Sequence, residues 1–301
     1  MAKLFSADLT NKKLCIIEYT TSDGQMLPFN EDAFDAKIVS HTYTDIGKVI
    51  FDKPITKIGE RAFNCCDSLT SVTIPDSVTT IGAYAFLGCS NLTEFKGKYA
   101  SDDGRCLIVD GVLNSFAPAE LVEYVIPDSV TTIGADAFLE CWRLTSVTIP
   151  DSVTTIEDWA FSGCSGLTTV IIGKSVSVIG EGAFHGCESL TSVTIPNRVT
   201  TIEKGAFYEC KSLLNVTIGD SVSKIDNEAL WKCLNLKSVT IGNSVSEIGY
   251  GAFHRSNIET IVCYPTLPPK LNNSFDNFEN LIVPTGCEEA YANSDWGKYL
   301  E

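Results

Sequence analysis

Cysteine is the residue of this sequence whose abundance could support metal or redox chemistry. The 301 residues include twelve cysteines, but none form the Cys-x-x-Cys pair that zinc and thiol-redox sites commonly use. Seven recur at one position of an internal repeat, namely Cys66, Cys89, Cys141, Cys164, Cys187, Cys210 and Cys233. We predict a ladder of buried thiols there, whose parallel Cα–Cβ bonds disfavour disulfide bridges. The roles of others stay open, among them Cys15, Cys65, Cys106 and Cys287.

Histidine could supply a general base or a metal ligand, but the sequence contains only His41, His185 and His254. The last two occupy one repeat position three repeats apart, which separates them by roughly 14 Å at ~4.8 Å per strand. They cannot share a metal ion or a proton over that distance. The spacing also offers no Ser/His/Asp or Cys/His grouping and no glycine-rich loop beside a lysine. We therefore expect no enzyme, no catalytic residue, no metal site and no cofactor.

Aspartate also recurs at one repeat position, immediately after a proline or a glycine. A calcium-binding ladder is one interpretation, and a turn residue that caps backbone groups is the other. Each repeat supplies one carboxylate, whereas Ca²⁺ takes about six or more oxygen ligands, so the spacing favours the turn. The column consists of Asp76, Asp128, Asp151 and Asp220, with Asn197 and Asn243 in two further repeats.

The composition limits the classes of partner. The chain has 22 lysines and arginines against 38 aspartates and glutamates, so its net charge is 22 − 38 = −16 at pH 7. That balance argues against a nucleic-acid partner, because phosphate binding rests on basic residues. No run of about 18 apolar residues occurs, so we expect no membrane insertion. Residues 1–21 lack the apolar core and small-residue cleavage site of a signal peptide.

Apolar residues recur with a period of 23, as Leu144, Leu167 and Leu190 show. Within one unit, the pattern Leu-x-x-Val-x-Ile predicts a short strand with an apolar face and a face of serine and threonine. A turn and a second short segment follow, and the stretch Gly-x-x-Ala-Phe-x-x-Cys predicts a tight helical or irregular turn. One unit cannot bury its apolar face alone, so the units must stack. The sequence therefore predicts a β-rich leucine-rich-repeat solenoid of about ten 23-residue rungs.

The repeat is interrupted once and is absent at both ends. Between Leu92 and Leu121 the spacing is 29 residues, and Asp110-Gly111 between two β-prone runs predicts a hairpin insert with a type I′ turn. The ends are expected to be caps, because terminal rungs need cover. The predicted organisation is an N-terminal cap at residues 1–45, leucine-rich repeats at 46–263 with the hairpin-bearing irregular repeat at 92–120, and a C-terminal cap at 264–301.

Positions that differ between repeats mark a candidate binding surface, because the frame itself is constant. The position after the turn phenylalanine varies most and carries aromatic or histidine side chains in four successive repeats. Exposed aromatic residues are favoured in interface hot spots, so we predict that this surface contacts a protein or a glycan. The alternative is that the rings pack between rungs. The predicted surface comprises Trp142, Trp159, His185, Tyr208, Trp231 and His254.

The unit LTSVTIPDSVTTIGAYAFLGC resembles the BspA-like, or Treponema-type, leucine-rich repeats of bacterial surface proteins, over residues 46–263. The insert GKYASDDGRCLIVDGVLNSFAP and the tail LIVPTGCEEAYANSDWGKYLE are similar to variants in such proteins from gut Bacteroidetes. The resemblance implies a non-catalytic scaffold for adhesion to host proteins or glycans, secreted or displayed at the cell surface. The alternative is a structural or intracellular interaction module in the cytoplasm, which reduced thiols would fit.

Overall fold

The computed structural model describes residues 14–300, in two compact units, Met1–Cys106 and Leu107–Glu301. The chain winds in about ten turns, about 23 residues apart, with little helix. The predicted leucine-rich-repeat solenoid is therefore confirmed. The assignment of caps at 1–45 and 264–301 stays a prediction, and residues 1–13 of the first lie outside the described residues.

The first unit is built mainly from short strands. They are β1 (Cys15–Thr21), β2 (Ile38–Tyr43), β3 (Gly47–Phe51), β4 (Lys57–Ile58), β5 (Leu69–Thr73), β6 (Thr80–Ile81) and β7 (Glu94–Lys96), with a 3-10 helix at Glu31–Ala33. Five of them form one sheet in the order β2-β3-β1-β5-β7, and β4 pairs with β6 in a second sheet. The pairs β5 with β7 and β4 with β6 are parallel, as stacking of successive rungs predicts.

Strand β1 interrupts this parallel arrangement. It lies between β3 and β5 and runs antiparallel to both, with Tyr19 opposite Gly47 and Val72. The Tyr19 ring covers Gly47 and leaves no room for a Cβ atom there, which explains the glycine. The Tyr19 hydroxyl lies 2.6 Å from His41 Nε2, and burial lowers the pKa of His41. His41 is therefore part of the packing between these strands.

The second unit alternates two sets of strands and ends in a short helix. In chain order its elements are β8 (Cys106–Val109), which begins at the last residue of the first unit, β9 (Val112–Phe116), β10 (Glu123–Val125), β11 (Thr132–Ile133), β12 (Ser146–Thr148), β13 (Thr155–Ile156), β14 (Thr169–Ile171), β15 (Val178–Ile179), β16 (Ser192–Thr194), β17 (Thr201–Ile202), β18 (Asn215–Thr217), β19 (Lys224–Ile225), β20 (Ser238–Ile241), β21 (Glu247–Ile248), β22 (Thr260–Cys263), β23 (Lys270–Leu271), β24 (Asn280–Ile282), α1 (Glu288–Ala292) and a 3-10 helix at Gly297–Tyr299.

These strands form a front and a back. The front consists of a three-stranded sheet, β10-β12-β14, followed by a five-stranded sheet, β16-β18-β20-β22-β24. The back is one nine-stranded sheet, β23-β21-β19-β17-β15-β13-β11-β9-β8. Equivalent residues of successive rungs lie side by side in parallel, as Val147 and Val170 do. The middle residue of each short front strand points into the core, and its two neighbours point outward.

The core of the second unit repeats the same contacts from rung to rung. Phe161, Phe184 and Phe207 are fully buried, with successive ring centroids 5.1 and 5.2 Å apart and ring planes within 1° and 4° of parallel. The backbone repeats as well, because Phe161 N donates to Ala183 O and Phe184 N donates to Ala206 O, both at 2.8 Å. Each rung thus supplies the packing surface for the next, which is why the units are stable only in a stack.

The predicted hairpin insert is confirmed. Strands β8 and β9 are neighbours in the nine-stranded sheet, and Asp110 and Gly111 join them at φ values of 50° and 80°. Both angles are positive, as a type I′ turn requires. Strand β9 also pairs in parallel with β11, with Val112 opposite Thr132. The hairpin therefore occupies the place of a back strand.

Rung geometry continues into residues 264–301. Strand β23 pairs in parallel with β21, and β24 pairs in parallel with β22. Beyond them, Trp296 is completely buried and its Nε1 donates to Pro269 O at 2.8 Å. The Tyr291 hydroxyl donates to Pro265 O at 2.8 Å. These two hydrogen bonds tie the C-terminal segment to the backbone of residues 265–269.

Candidate functional site

Five of the six predicted surface residues form one continuous column of rings in the second unit, here called the aromatic ridge. It consists of Trp159, His185, Tyr208, Trp231 and His254. Their successive ring centroids are 5.5, 5.1, 6.5 and 5.3 Å apart. Each ring therefore contacts the ring of the next rung, so the ridge is a single surface.

Trp142 lies outside this column. Its side chain is 54% exposed, and the Arg143 guanidinium carbon lies 4.7 Å from the centre of its ring. It follows the repeated cysteine rather than the turn phenylalanine, which places it on a different line along the rungs. Tyr250, by contrast, joins the ridge at its C-terminal end, with its ring centroid 5.8 Å from that of His254.

The backbone of the turns sets the spacing of the ridge. Gly163 N donates to His185 O, and Glu209 N donates to Trp231 O, both at 2.8 Å. Gly163 and Glu209 have φ values of 70° and 58°, and Trp159 has a φ of 58°. Non-glycine residues rarely adopt this left-handed conformation. The hydrogen bonds between rungs impose it here, and they hold the ridge side chains in register.

The ridge is partly packed and partly open. Trp159 is 38% exposed, and the other four side chains are half-buried. The ring planes of Tyr208 and Trp231 are only 5° apart, and their centroids are 6.5 Å apart, so the two rings are parallel and do not stack face to face at contact distance. The rings therefore pack between rungs and also contribute to the surface.

Charged groups border the ridge in pairs. Lys232 Nζ donates to Glu209 Oε1 at 2.6 Å and lies 5.4 Å from the centre of the Tyr208 ring. The hydrogen bond from Lys232 lowers the pKa of Glu209. Burial lowers the pKa of His185. The ridge thus places aromatic and imidazole rings beside an ion pair.

Two polar atoms at the C-terminal end of the ridge have no hydrogen-bond partner among the described residues, Trp231 Nε1 and His254 Nε2. The nearest carboxylate oxygen recorded for His254 is Asp276 Oδ1, at 3.8 Å, which exceeds hydrogen-bond distance. A buried polar atom without a partner costs about 1–3 kcal/mol. This end of the ridge therefore carries unused hydrogen-bonding capacity.

The repeated cysteines form the predicted column of buried thiols. Cys187 Sγ donates to Phe161 O of the preceding rung at 3.3 Å. In a later rung Ser256 takes this position, and its Oγ donates to Leu230 O at 3.4 Å. The position therefore needs a small side chain that can donate a hydrogen bond. All twelve cysteines lie among the described residues and are free thiols.

We expect a thiol reagent to distinguish two classes of cysteine. Cys65 is exposed, Cys287 is half-buried and the other ten are buried. Burial raises the pKa of Cys66 to about 11 and that of Cys164 and Cys233 to about 12, and the reactive species is the thiolate. Ellman's reagent at neutral pH should label Cys65 and Cys287 in the folded chain, and all twelve after unfolding without reductant. A lower count after unfolding would reveal disulfides and contradict the thiol column.

Two of the recurrent aspartates accept hydrogen bonds from backbone groups of the next rung. Asp151 Oδ1 accepts from Lys174 N at 2.8 Å, and Asp220 Oδ1 accepts from Asn243 N at 3.2 Å. This geometry supports the turn interpretation of the aspartate column over a calcium ladder. In the described part of the chain, no three histidine, cysteine, aspartate or glutamate side chains are grouped so that they could hold a metal ion.

Comparison with family models settles what kind of repeat this is. The model of the BspA-type leucine-rich repeat region matches in six copies, across residues 36–100, 113–236 and 164–282. The chain belongs to the BspA-type leucine-rich repeat family. The resemblance inferred from the sequence is therefore confirmed. Among curated proteins, none matches the chain.

Solved structures share this BspA-type architecture. A leucine-rich cell surface protein from Faecalibacterium prausnitzii is 34% identical, with a TM-score of 0.55, over 62% of this chain and 51% of that one. A leucine-rich repeat protein from Bacteroides ovatus is 23% identical, with a TM-score of 0.51, over 93% and 68%. The pneumococcal vaccine antigen PcpA is 16% identical, with a TM-score of 0.52, over 72% and 56%. The last two likenesses show the fold alone, and the chain spans about half the length of the first protein.

Sequence reasoning missed the charged pairs that border the ridge of this BspA-type chain. Glu209 and Lys232 are one repeat apart, as are Glu188 and Lys211, whose charged atoms lie 2.7 Å apart. Opposite charges at a spacing of one repeat are the signal that would have found them, because parallel rungs place such residues side by side. No helix among residues 14–300 is both long enough and apolar enough to cross a membrane.

Proposed function

We propose that this BspA-type chain is a non-catalytic scaffold that binds a protein partner through the aromatic ridge. The observation that carries the proposal is the unbroken column of five rings from five successive rungs, each in contact with the next. Their spacing is set by the backbone, so binding would not have to order them, and pre-organised aromatic groups are favoured in interface hot spots.

A protein partner fits the ridge better than a glycan does. The Glu209–Lys232 ion pair lies beside the rings, and the Lys232 ammonium lies 5.4 Å from the centre of the Tyr208 ring. The peptide groups and charged side chains of a polypeptide can pair with both of these charges, whereas a neutral sugar cannot.

We further propose that the chain acts at the cell surface or outside the cell. The related F. prausnitzii protein is described as a cell surface protein, and PcpA is described as a vaccine antigen. Antibodies against the chain should label intact cells of the source organism, and external protease should remove the label. Labelling only after lysis would favour the alternative of an intracellular interaction module.

The ridge is tested by alanine substitution. The ligand is an extracellular-matrix protein that the unaltered chain binds. We expect Tyr208→Ala and Trp231→Ala each to reduce the binding free energy by about 2 kcal/mol, which raises Kd roughly 30-fold. The loss follows from removal of a ring that is already fixed in place. Biolayer interferometry on immobilised matrix proteins measures it.

Trp142→Ala is the matched control, because Trp142 is an exposed tryptophan of the same unit that lies outside the ridge. It should leave Kd unchanged. Circular dichroism should show the repeat fold in all three variants. Unchanged binding in the folded Tyr208→Ala and Trp231→Ala variants would exclude the ridge as the binding surface.

A further inference from the structure

The front of the second unit presents a surface that the proposed function does not use. Each front strand has two outward residues, and none of them is buried. Strand pairing aligns them in two rows along the rungs. We call this surface the hydroxyl face, and it consists of Glu123, Val125, Ser146, Thr148, Thr169, Ile171, Ser192, Thr194, Asn215, Thr217, Ser238, Thr240, Thr260, Val262, Asn280 and Ile282.

The hydroxyl face is almost free of charge in a strongly charged protein. Charged residues make up 20% of the chain, whose net charge is −16. Among the described outward residues of the front strands, Glu123 is the only charged one. The back sheet of the same unit differs, because its outward positions include Lys224, Glu247 and Lys270. If uncharged residues were needed only to form β-strands, the back sheet would lack charged residues as well. Strand formation therefore does not explain why the front face has so few charges.

The hydroxyl groups of this face are also unused by the fold. Thr145, Thr168 and Thr191, one position before the front strands, donate their hydroxyls to carbonyl groups of the preceding rung at 2.8 to 3.3 Å. In contrast, the hydroxyls of Thr194 and Thr240 form no hydrogen bond to any other described residue, and the same holds for the other serines and threonines of the face. Fold stability therefore does not require a hydroxyl group at these positions.

We propose that the hydroxyl face binds a linear, uncharged polysaccharide. Such a polymer carries hydroxyl groups around each sugar ring and C–H groups on its flat sides, and the face offers rows of hydroxyls with the apolar side chains of Ile171 and Val262 beside them. The polymer is also periodic, with a step per sugar close to the ~4.8 Å spacing of neighbouring strands. A folded protein partner lacks this repeat, so it would not match equivalent residues on successive rungs.

A second copy of the chain would also present a periodic surface, but the negative charge of both copies opposes their association. Two molecules that each carry −16 repel one another, whereas a neutral polymer adds no charge. Binding to a neutral polymer should also be insensitive to salt, because no ion pair forms in the contact. These two properties separate the polysaccharide from self-association and from a charged partner.

The test uses lysine substitutions, because a neutral polymer has no counter-charge to offset the lost hydration of a lysine in the contact, and the long side chain holds the polymer away from the hydroxyl groups. The double variant Thr194→Lys/Thr240→Lys places a charge on two front strands. The fold accepts lysine at this position, since Lys96 lies opposite Thr73 in the first unit. The control is Val178→Lys, an exposed residue of the back sheet at the repeat position where Lys224 already lies.

Native gel electrophoresis of the full chain in gels containing mixed-linkage β-glucan, hydroxyethyl cellulose or unbranched glucomannan measures the interaction. We expect at least one of these polymers to retard the chain equally at low and high salt. The double variant should bind about tenfold more weakly, which corresponds to the loss of one or two hydrogen bonds, and Val178→Lys should bind as the unaltered chain does. Alginate, an anionic polysaccharide, should not retard the unaltered chain.

Three results would each overturn the inference: no retardation by any neutral polymer, retardation that the double variant retains, or a dimer in sedimentation equilibrium that the double variant abolishes. The ridge variant Tyr208→Ala should bind the polysaccharide normally. The hydroxyl face and the ridge can therefore fail independently of each other.

Discussion

Replacing Phe184 by alanine is expected to lower the free energy of unfolding of the second unit by about 3–5 kcal/mol, the usual cost of emptying a buried phenylalanine site. Phe184 is fully buried, and its ring lies between those of Phe161 and Phe207, with centroids 5.1 and 5.2 Å away. Both neighbouring rungs lose a contact, and the stacked backbone prevents them from closing the gap. The midpoint of urea unfolding, followed by circular dichroism, measures the loss.

Phe184→Leu is the matched variant. Leu230 already occupies the equivalent position of a later rung and is fully buried there, so a leucine of nearly the right volume should cost about 1–2 kcal/mol. Equal losses in the two variants would mean that the aromatic stack, rather than the filled volume, stabilises the rungs. A negligible loss in both would contradict the packing of this column.

Trp296→Ala is expected to lower the free energy of unfolding by a similar amount at the C-terminal end of the unit, about 3–5 kcal/mol. Trp296 is completely buried and packs against Phe275 and Tyr291, with ring centroids 5.5 and 5.7 Å away. The substitution removes these contacts and leaves Pro269 O without its 2.8 Å donor. Urea unfolding followed by circular dichroism is again the measurement, because tryptophan fluorescence would change with the residue itself.

Trp142→Ala provides the comparison for Trp296→Ala. The Trp142 side chain is 54% exposed, so the substitution should change the free energy of unfolding by less than about 0.5 kcal/mol. If Trp296→Ala proved as harmless as Trp142→Ala, residues 264–301 would not be needed to cover the rungs. Their assignment as a cap would then fail.

The repeating core could be predicted from the sequence because its signal is local and recurs in phase. Each apolar position of the 23-residue unit has one place in the stack, so the sequence alone predicts that Val147 and Val170 lie side by side. The hairpin at Asp110-Gly111 was predictable for the same reason, since two adjacent residues determine the turn type.

Other features depend on pairings between distant segments and carried no such signal. The placement of β1 between β3 and β5 depends on which edge an isolated strand meets, and the alternation within Cys15–Thr21 suits either neighbour. The positive φ of Trp159 and Glu209 goes against the preference of these residue types, and only the glycines at the equivalent positions of other rungs, Gly182 and Gly186, point to it. Hydrogen bonds to the next rung override the preference of the individual residue.

The candidate surface was predicted by residue type and only partly by geometry. Residues at one repeat position had to form a column, and His185, Tyr208, Trp231 and His254 do so. Trp142 lies three positions after the shared position and Trp159 three positions before it, yet only Trp159 reaches the column, where its ring contacts His185. Distance along the sequence was therefore a poor guide to membership of the ridge.

The reversed direction of β1 also has a consequence for biosynthesis. Tyr19 pairs with both Gly47 and Val72, so β1 leaves the ribosome long before its second partner is available. Later rungs each add to a neighbour that is already folded, but this sheet must wait with one open edge until residues 69–73 emerge. During synthesis of the first unit, β1 therefore exposes an unpaired edge on which another strand could pair wrongly.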